Sequence, residues 1–92
     1  MDLSGIKLYQ NSPDPFTFMT TIRFTIPETL RPVNLTFKVY TIFGSEVATL
    51  DEGIFPPGKH ETIFKPSNLP AGVYFYRLSG NSGSLVRKMV VD

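Results

Sequence analysis

Few residues of this sequence could take part in acid–base or nucleophilic chemistry. The chain has one histidine, eight carboxylate side chains and no cysteine. His60 lies between Lys59 and Glu61 at the start of a predicted strand, with no second histidine at the spacing of a metal-ligand pair. A catalytic triad needs a nucleophile, a base and an orienting acid close together. We therefore interpret His60 as a surface or edge residue and predict that the protein is not an enzyme and has no catalytic residues.

The signals for a metal or phosphate site are equally weak. Asp51 and Glu52 are adjacent and lack the alternating acidic pattern of a calcium loop. The stretch SGNSGS has the glycines of a phosphate-binding loop without the helix that should follow them, and we interpret it as a hairpin turn. The sequence therefore predicts no metal site and no cofactor.

Length and charge limit the possibilities further. The 92 residues suffice for one compact domain, and we predict a single domain over residues 1–92, with residues 1–5 as a linker or an added start. Nine basic and eight acidic side chains are scattered along the chain and give a net charge of +1, so nucleic acid is not an expected partner. No apolar run approaches the ~20 residues that span a bilayer, and the start MDLSGIKLYQ lacks the pattern of a signal peptide.

Three segments alternate apolar and polar residues with the period of two that is typical of a half-buried strand. These segments are TTIRFTIP, VNLTFKVYTI and GVYFYRLSG. The residues predicted to face the core are Ile22, Phe24 and Ile26 in the first, Val33, Leu35, Phe37 and Val39 in the second, and Tyr74, Tyr76 and Leu78 in the third.

The segments between these strands are less regular. Gly44 predicts a tight turn, after which the chain returns as a short strand through Val47 and Leu50. The stretch DEGIFPPG is predicted to be a surface connection, and KHETIFK is predicted to be a strand with Ile63 as its apolar anchor. Residues 81–83, Asn-Ser-Gly, predict a hairpin that pairs SLVRKMVV antiparallel with the strand before it.

With a first strand at IKLYQ, these signals predict seven strands and no helix. Seven short strands in about 90 residues are typical of an all-β fold, a seven-stranded immunoglobulin-like antiparallel β-sandwich. A small barrel with the same number of strands stays open, because the period does not reveal strand order.

The phenylalanines exceed what one small core obviously needs. The residues that we expect to be exposed are Phe16, Phe18, Phe43, Phe55 and Phe75. They can be explained as the rim of the core or, more specifically, as a binding patch.

Five sequence elements, in order, carry a resemblance to a known family. They are LYQNSPDPF, TTIRFTIP, LTFKVYTIFGSEVATL, PPGKHETIFKPSNLPAGVYFYRL and RKMVV. Together they resemble the C-terminal sorting domain of the type IX secretion system, type A, also called the Por secretion tail. The resemblance covers about residues 8–91 and extends in part to the related Ig-like module of the flagellar hook-capping protein.

The family pattern falls on specific residues of this chain. An Asn-Pro-Phe element after a Gln-Asn pair, a Gly-x-x-Val turn, a Leu-x-x-Gly-x-Tyr element and a closing Lys are its typical features. The residues to which the resemblance gives a structural role are Asn11, Asp14, Pro15, Phe16, Gly44, Val47 and Leu69. Those to which it gives a part in sorting are Gly72, Tyr74, Arg87, Lys88, Met89 and Val90. The chain departs from the pattern at Asp14, where the family usually has asparagine, and at Asp92, where many members end in a basic residue.

The resemblance implies a non-catalytic C-terminal secretion signal on a larger cargo protein of a Gram-negative bacterium. The cargo would pass through the periplasm and be secreted or held at the cell surface. The implied partners are the outer-membrane translocon and shuttle proteins of the type IX system, with a sortase in many members. We expect the last hairpin to be recognised through its exposed face and open edge, either by strand addition or in a groove. The alternative is a retained structural spacer or carbohydrate-binding Ig-like module of a surface enzyme.

Overall fold

A computed structural model describes residues 5–81 and 83–92. Within these residues the chain forms seven strands and no helix, as predicted. The strands are β1 (Lys7–Leu8), β2 (Thr20–Ile26), β3 (Val33–Thr41), β4 (Glu46–Phe55), β5 (Gly58–Phe64), β6 (Gly72–Ser79) and β7 (Ser84–Val91). Residues 1–4 of the predicted linker lie outside the described residues, as does Ser82 of the predicted hairpin turn. No helix of the described part is long and apolar enough to cross a membrane.

The strands form two antiparallel sheets that pack face to face. One sheet has the order β1-β2-β5 and the other the order β4-β3-β6-β7. This arrangement confirms the immunoglobulin-like β-sandwich and excludes the barrel, since the sheets do not close on each other. The strands β1 and β5 are the edges of the smaller sheet, and β4 and β7 are those of the larger one.

The core lies between the two sheets and follows the predicted alternation. Nine of the ten residues predicted to face inward are buried, and Val33, at the start of β3, is half-buried against the same cluster. Phe37 is central, since its ring makes edge contacts with Phe24 of the opposite sheet and with Tyr76 of the neighbouring strand. The strands with the clearest alternation of apolar and polar residues thus supply the contact between the two sheets.

The prediction of a long surface connection at DEGIFPPG was wrong. Asp51 to Phe55 continue β4 and pair with β3, so that only Pro56 and Pro57 connect β4 to β5. The acidic residues Asp51 and Glu52 are exposed on an edge strand, where charged side chains protect the unpaired edge against association with other strands. Their turn-like composition therefore reflects the edge and not a loop.

The prediction of Ile63 as the anchor of β5 was also wrong. The register pairs Phe24 with His60, which places residues 58, 60, 62 and 64 on the inner face. Phe64 is buried, whereas Ile63 is 55% exposed on the outer face. Because these two large apolar residues are adjacent, the period alone could not tell which of them faces the core.

Two of the five phenylalanines expected to be exposed are so, namely Phe18 and Phe43. The expectation was wrong for Phe16, which is buried, while Phe55 and Phe75 are half-buried. Phe55 packs against Phe24, with ring centroids 5.5 Å apart. The two exposed rings lie in loops, which removes most of the predicted aromatic patch.

His60 lies on the edge strand β5, as interpreted from the sequence, but its ring is half-buried. The ring stacks on Phe24, with centroids 5.1 Å apart, and meets Phe55 edge-on. Its Nε2 atom lies 2.7 Å from the Pro56 carbonyl oxygen, which can only accept a hydrogen bond. These contacts give the histidine a structural role at the β4–β5 connection.

Candidate recognition site at the closing hairpin

The last two strands form a regular hairpin at one edge of the larger sheet. All eight residues of β6 pair with β7, from Gly72 opposite Val91 to Ser79 opposite Ser84. The Gly80 amide donates to the Gly83 carbonyl at 2.8 Å and closes the turn. The predicted antiparallel pairing is therefore confirmed. β6 lies between β3 and β7, so that β7 alone supplies the edge.

Two of the residues assigned to sorting are core residues. Tyr74 and Met89 lie opposite each other in the hairpin, and both are buried. The Tyr74 hydroxyl donates a hydrogen bond of 2.7 Å to the Pro70 carbonyl, which ties the preceding loop to β6. Any effect of these side chains on a partner must therefore pass through the shape of the hairpin.

Gly72, at the start of β6, has a backbone angle φ of +150°. A Cβ atom placed there would meet no other atom within 4 Å. A substitution would thus be opposed by backbone strain, since L residues rarely adopt this angle, and not by crowding.

The two basic residues at the centre of β7 point in different directions. Lys88 lies on the outer face of the sheet, opposite Phe75, and is exposed. Arg87 follows the inner-facing row and reaches the other sheet, where its Nε donates to the Leu8 carbonyl at 2.6 Å. Arg87 therefore bridges the edges of the two sheets, and Lys88 is the one free to meet a partner on the face.

The loop of residues 10–16 is held against the end of β7. Asp14 Oδ1 accepts a hydrogen bond of 2.8 Å from the Val90 amide, and Gln10 Nε2 donates to the Lys88 carbonyl at 2.7 Å. The Phe16 amide donates to the Val90 carbonyl, and the Phe16 carbonyl accepts from the Asp92 amide, at 3.1 and 2.8 Å. The loop thus acts as a partial strand beside β7. The first and last elements of the family pattern are neighbours in space.

This pairing corrects the expectation of an open edge on the last strand. Main-chain groups from Lys88 to Asp92 are already bonded to the loop. Among the described residues, no segment covers the edge from Ser84 to Arg87, and this part faces β1 across a groove of about 350 Å³ lined by residues 6–9 and 85–87. Strand addition could therefore use only the first half of β7.

The loop itself is organised by a buried polar network around Asn11. The backbone N–H of Asn11 donates to the Tyr76 hydroxyl at 2.9 Å, and this hydroxyl donates to the Tyr9 carbonyl at 2.7 Å. Asn11 Nδ2 donates to the Thr20 hydroxyl at 3.0 Å and to the Pro13 carbonyl at 3.1 Å. In the described residues, every buried side-chain polar atom has a partner. The network fixes the conformation of the loop that covers β7.

The neighbouring prolines and Asp14 complete this loop. The Ser12–Pro13 and Asp14–Pro15 peptide bonds are both cis. Gln10 Nε2 also lies 2.7 Å from Asn11 Oδ1 and 3.2 Å from Asp14 Oδ2, so its two hydrogens are shared among three acceptors. Asp14 is thereby joined to the network by one oxygen and to β7 by the other.

The remaining residues of the family pattern lie away from the hairpin edge. Gly44 has a φ of +87° in the β3–β4 turn, which a residue with a side chain would adopt only with strain. Its amide donates to the Thr41 carbonyl at 3.0 Å. Val47 on β4 and Leu69 in the β5–β6 loop line the same hollow beside Phe64, although they are far apart in sequence. These positions shape the sandwich.

Across residues 5–81 and 83–92, no group of three histidine, cysteine, aspartate or glutamate side chains could hold a metal ion. The hairpin instead offers a backbone edge, a cationic side chain and an outer sheet face. Such a surface can bind a partner.

Tyr76 provides a test of the network through its titration. Burial raises the pKa of its hydroxyl to about 12, and the hydrogen bond from the Asn11 amide opposes the shift. An unfolded chain loses the tyrosine proton at an ordinary pKa of about 10. Since the folded pKa is the higher one, the stabilising contribution is complete below pH 10 and is lost as the pH rises from about 10 to about 12.

We therefore expect Tyr76→Phe to lower the free energy of unfolding by about 1–3 kcal/mol at neutral pH, because the Asn11 amide and Tyr9 carbonyl lose their partner. Above pH 10 the melting temperature of the unchanged protein should fall, and that of the variant should fall less. Tyr40→Phe, which removes a hydroxyl from the outer face of β3, serves as the control for the loss at neutral pH. An equal alkaline decline in Tyr76→Phe would assign it to other groups.

The signals that reasoning from the sequence missed are polar. Thr20 looked like an ordinary strand residue, yet it is fully buried and its hydroxyl donates to the Pro13 carbonyl at 2.8 Å. Tyr76 was predicted to fill the core, but its hydroxyl also holds the backbone at residues 9 and 11. A tyrosine in the middle of an apolar row, where phenylalanine would fill the same space, is the signal that could have revealed this role.

A family model described as "Secretion system C-terminal sorting domain" matches residues 7–92, from β1 to the last residue. Among curated proteins, none matches the chain.

Proposed function

Because the chain belongs to the secretion system C-terminal sorting domains, we propose that it directs a larger cargo protein across the outer membrane of a Gram-negative bacterium. The pathway is the type IX secretion system, reached through the periplasm. The cargo would end outside the cell or at its surface. The domain itself would act by binding, in keeping with a family that is non-catalytic in general.

The partners in this proposal are the outer-membrane translocon and the shuttle proteins of the type IX machinery. Among the residues assigned to sorting, Lys88 offers the most direct contact because its side chain is exposed on the outer face. Val90 lies on the same face two residues further. Gly72, Tyr74, Arg87 and Met89 would act by holding the hairpin in the form that the partners bind.

The observation that carries the proposal is the contact between the loop of residues 10–16 and the last residues of the matched region, 88–92. Residues 10–16 bind the main chain of residues 88–92 by hydrogen bonds between groups as many as 78 positions apart. The family pattern therefore describes one folded surface. A translocon that receives this domain would bind a preformed shape, with little ordering cost at the moment of binding.

The test is export of a reporter. We expect residues 1–92, fused to the C-terminus of a periplasmic reporter in a host with type IX machinery, to carry the reporter out of the cell. The measurement is reporter in the medium and on the cell surface relative to the periplasm. The reporter without the domain, and the fusion in a host that lacks the translocon, should stay inside. Retention of the fusion in the complete host would refute the sorting function.

A second arm separates the terminal segment from the rest of the fold. Deleting residues 88–92 should block export, since it removes Lys88 and the strand that the loop covers. The deletion also removes buried Met89 and Val91, so circular dichroism of the purified variant must accompany it. If the deletion variant folds and is still exported, the surface that the partners recognise does not include the end of β7.

The proposal also includes cleavage by a sortase upstream of the domain, with attachment of the cargo to surface lipopolysaccharide. The mass of the exported reporter tests this step. A cleaved and attached reporter lacks the mass of the domain and carries added glycolipid, whereas a retained structural module leaves the full fusion intact.

A further inference from the structure

The outer face of the larger sheet carries an apolar surface where a solvated face should be polar. Two cross-strand rows define its centre. Tyr40, Phe75 and Lys88 form one row across β3, β6 and β7. Lys38, Arg77 and Val86 form the next one. We call the surface made by these six residues, together with Ile42, Val73 and Val90, the outer patch.

The apolar members of the outer patch are accessible to a partner. Val86 is 52% exposed, Ile42 57% and Val73 38%. Tyr40, Phe75 and Arg77 surround a shallow hollow of about 280 Å³, which Ile42 and Val86 close on two sides. A hollow of this size can accept one anchoring side chain at the centre of an interface. The patch therefore presents exposed apolar side chains directly beside the cations Arg77 and Lys88.

The charge of the patch indicates the chemistry of its partner. Three of the nine basic side chains, Lys38, Arg77 and Lys88, belong to the outer patch, whereas none of the eight acidic ones does, and Glu46 borders it opposite Tyr40. In the described part of the chain the ion pairs are Arg23–Glu61 and Lys38–Glu46. The two cations beside Phe75, Arg77 and Lys88, thus have no carboxylate within ion-pair distance among the described residues.

Arg77 is already held in place for such a contact. Its guanidinium carbon lies 4.7 Å from the centre of the Tyr40 ring, and Nη2 donates to the Tyr40 hydroxyl at 3.0 Å. An arginine fixed in this way loses little side-chain entropy on binding, and its planar fork suits a carboxylate. The aromatic ring thereby orients the cation over the hollow.

We propose that the outer patch docks a partner protein of the secretion machinery, through a surface that places carboxylates over Arg77 and Lys88 around an apolar anchor. This inference rests on the proposed sorting function and specifies the face that performs it. A protein is favoured over a membrane because lipid surfaces are held by clusters of about 4–8 basic residues. The outer patch has two unpaired cations among flat apolar side chains.

The test uses charge reversal in the exported fusion. Arg77→Glu together with Lys88→Glu should lower export at least about tenfold, which corresponds to about 1.4 kcal/mol of binding free energy. The matched control is Lys59→Glu with Lys65→Glu, which makes the same charge change at exposed positions on β5 and after it. The control should be exported like the unchanged fusion.

The outcomes separate the two proposals. Export of the unchanged fusion with equal export of the Arg77→Glu/Lys88→Glu variant would overturn the docking face and leave the sorting function intact. Retention of the unchanged fusion would overturn the sorting function itself. Loss of export in both double variants would also overturn the docking face, because net charge would then explain it. If the Glu variant melts at a much lower temperature, Arg77→Gln/Lys88→Gln replaces it and is judged by the same outcomes.

Two further measurements exclude other occupants of the patch. The purified domain should not float with vesicles of phosphatidylglycerol and phosphatidylcholine, and it should sediment as a monomer. Flotation that Arg77→Glu/Lys88→Glu abolishes would assign the patch to an anionic membrane. A dimer that dissociates in the same variant would assign the patch to a second copy of this chain. Either result would overturn a secretion-machinery protein as the occupant.

Discussion

Replacing Phe16 with alanine is expected to lower the free energy of unfolding by about 3–5 kcal/mol, the usual cost of truncating a buried phenylalanine. The ring is 2% exposed and makes an edge contact with Phe64, at a centroid distance of 6.1 Å. Both backbone groups of Phe16 bond to the end of the chain: its N–H donates to the Val90 carbonyl, and its carbonyl accepts from the Asp92 amide. The truncation would therefore leave a cavity between the sheets and loosen the loop that covers the last strand. Urea denaturation of the purified domain measures the loss.

Phe18, two residues later, is the matched control, since it is the same side chain at 84% exposure. Phe18→Ala should change the free energy of unfolding by no more than about 0.5 kcal/mol. Equal losses for the two variants would contradict the burial of Phe16. If Phe16→Ala reduces reporter export more than Phe18→Ala does, the loop contributes to the exported form of the domain.

The part of the fold that could be predicted from the sequence is the part where one face of a strand is uniformly apolar. From Ile22 to Ile26 in β2 and from Val33 to Val39 in β3, each inward position is large and apolar and each outward one polar or amphipathic, so a shift by one residue would bury threonine or lysine. In β5 the two large apolar residues stand side by side, and Ile63 was placed inward in error. Here the register comes from pairing with β2, which is a tertiary contact that the local pattern does not contain.

The candidate site was predictable as a set of residues and not as an arrangement. Family resemblance identified the loop at Asn11 and the last strand at Lys88 as separate elements. Their contact depends on the topology of the sandwich, which brings the start of β2 and the end of β7 to the same end of the molecule. The cation at Arg77 was missed for a related reason. Its partner Tyr40 lies 37 positions away on β3, and no period within one strand indicates that contact.

Replacing Asn11 with aspartate should be among the most damaging single-atom changes in the domain. Asn11 is 3% exposed, and its side-chain nitrogen, Nδ2, donates to the Pro13 carbonyl and the Thr20 hydroxyl. A carboxylate would turn these donations into a repulsion against the carbonyl and would place a buried charge without a cation. We expect a loss of about 3–5 kcal/mol at neutral pH, as for other uncompensated buried charges. Thermal and urea unfolding at pH 7 measure it.

The pH dependence of this variant has a definite sign. Burial raises the pKa of a carboxyl group above its unfolded value of about 3.9, so the penalty is absent below that pH and grows as the pH rises through the interval between the two values. The exposed substitution Asn34→Asp on β3 adds the same charge and should change stability by no more than about 0.5 kcal/mol. The difference between the two variants should therefore shrink between pH 7 and pH 4. A difference close to zero at pH 7 would mean that a carboxylate replaces the Asn11 amide without cost, and that the polar network does not hold the loop against β7.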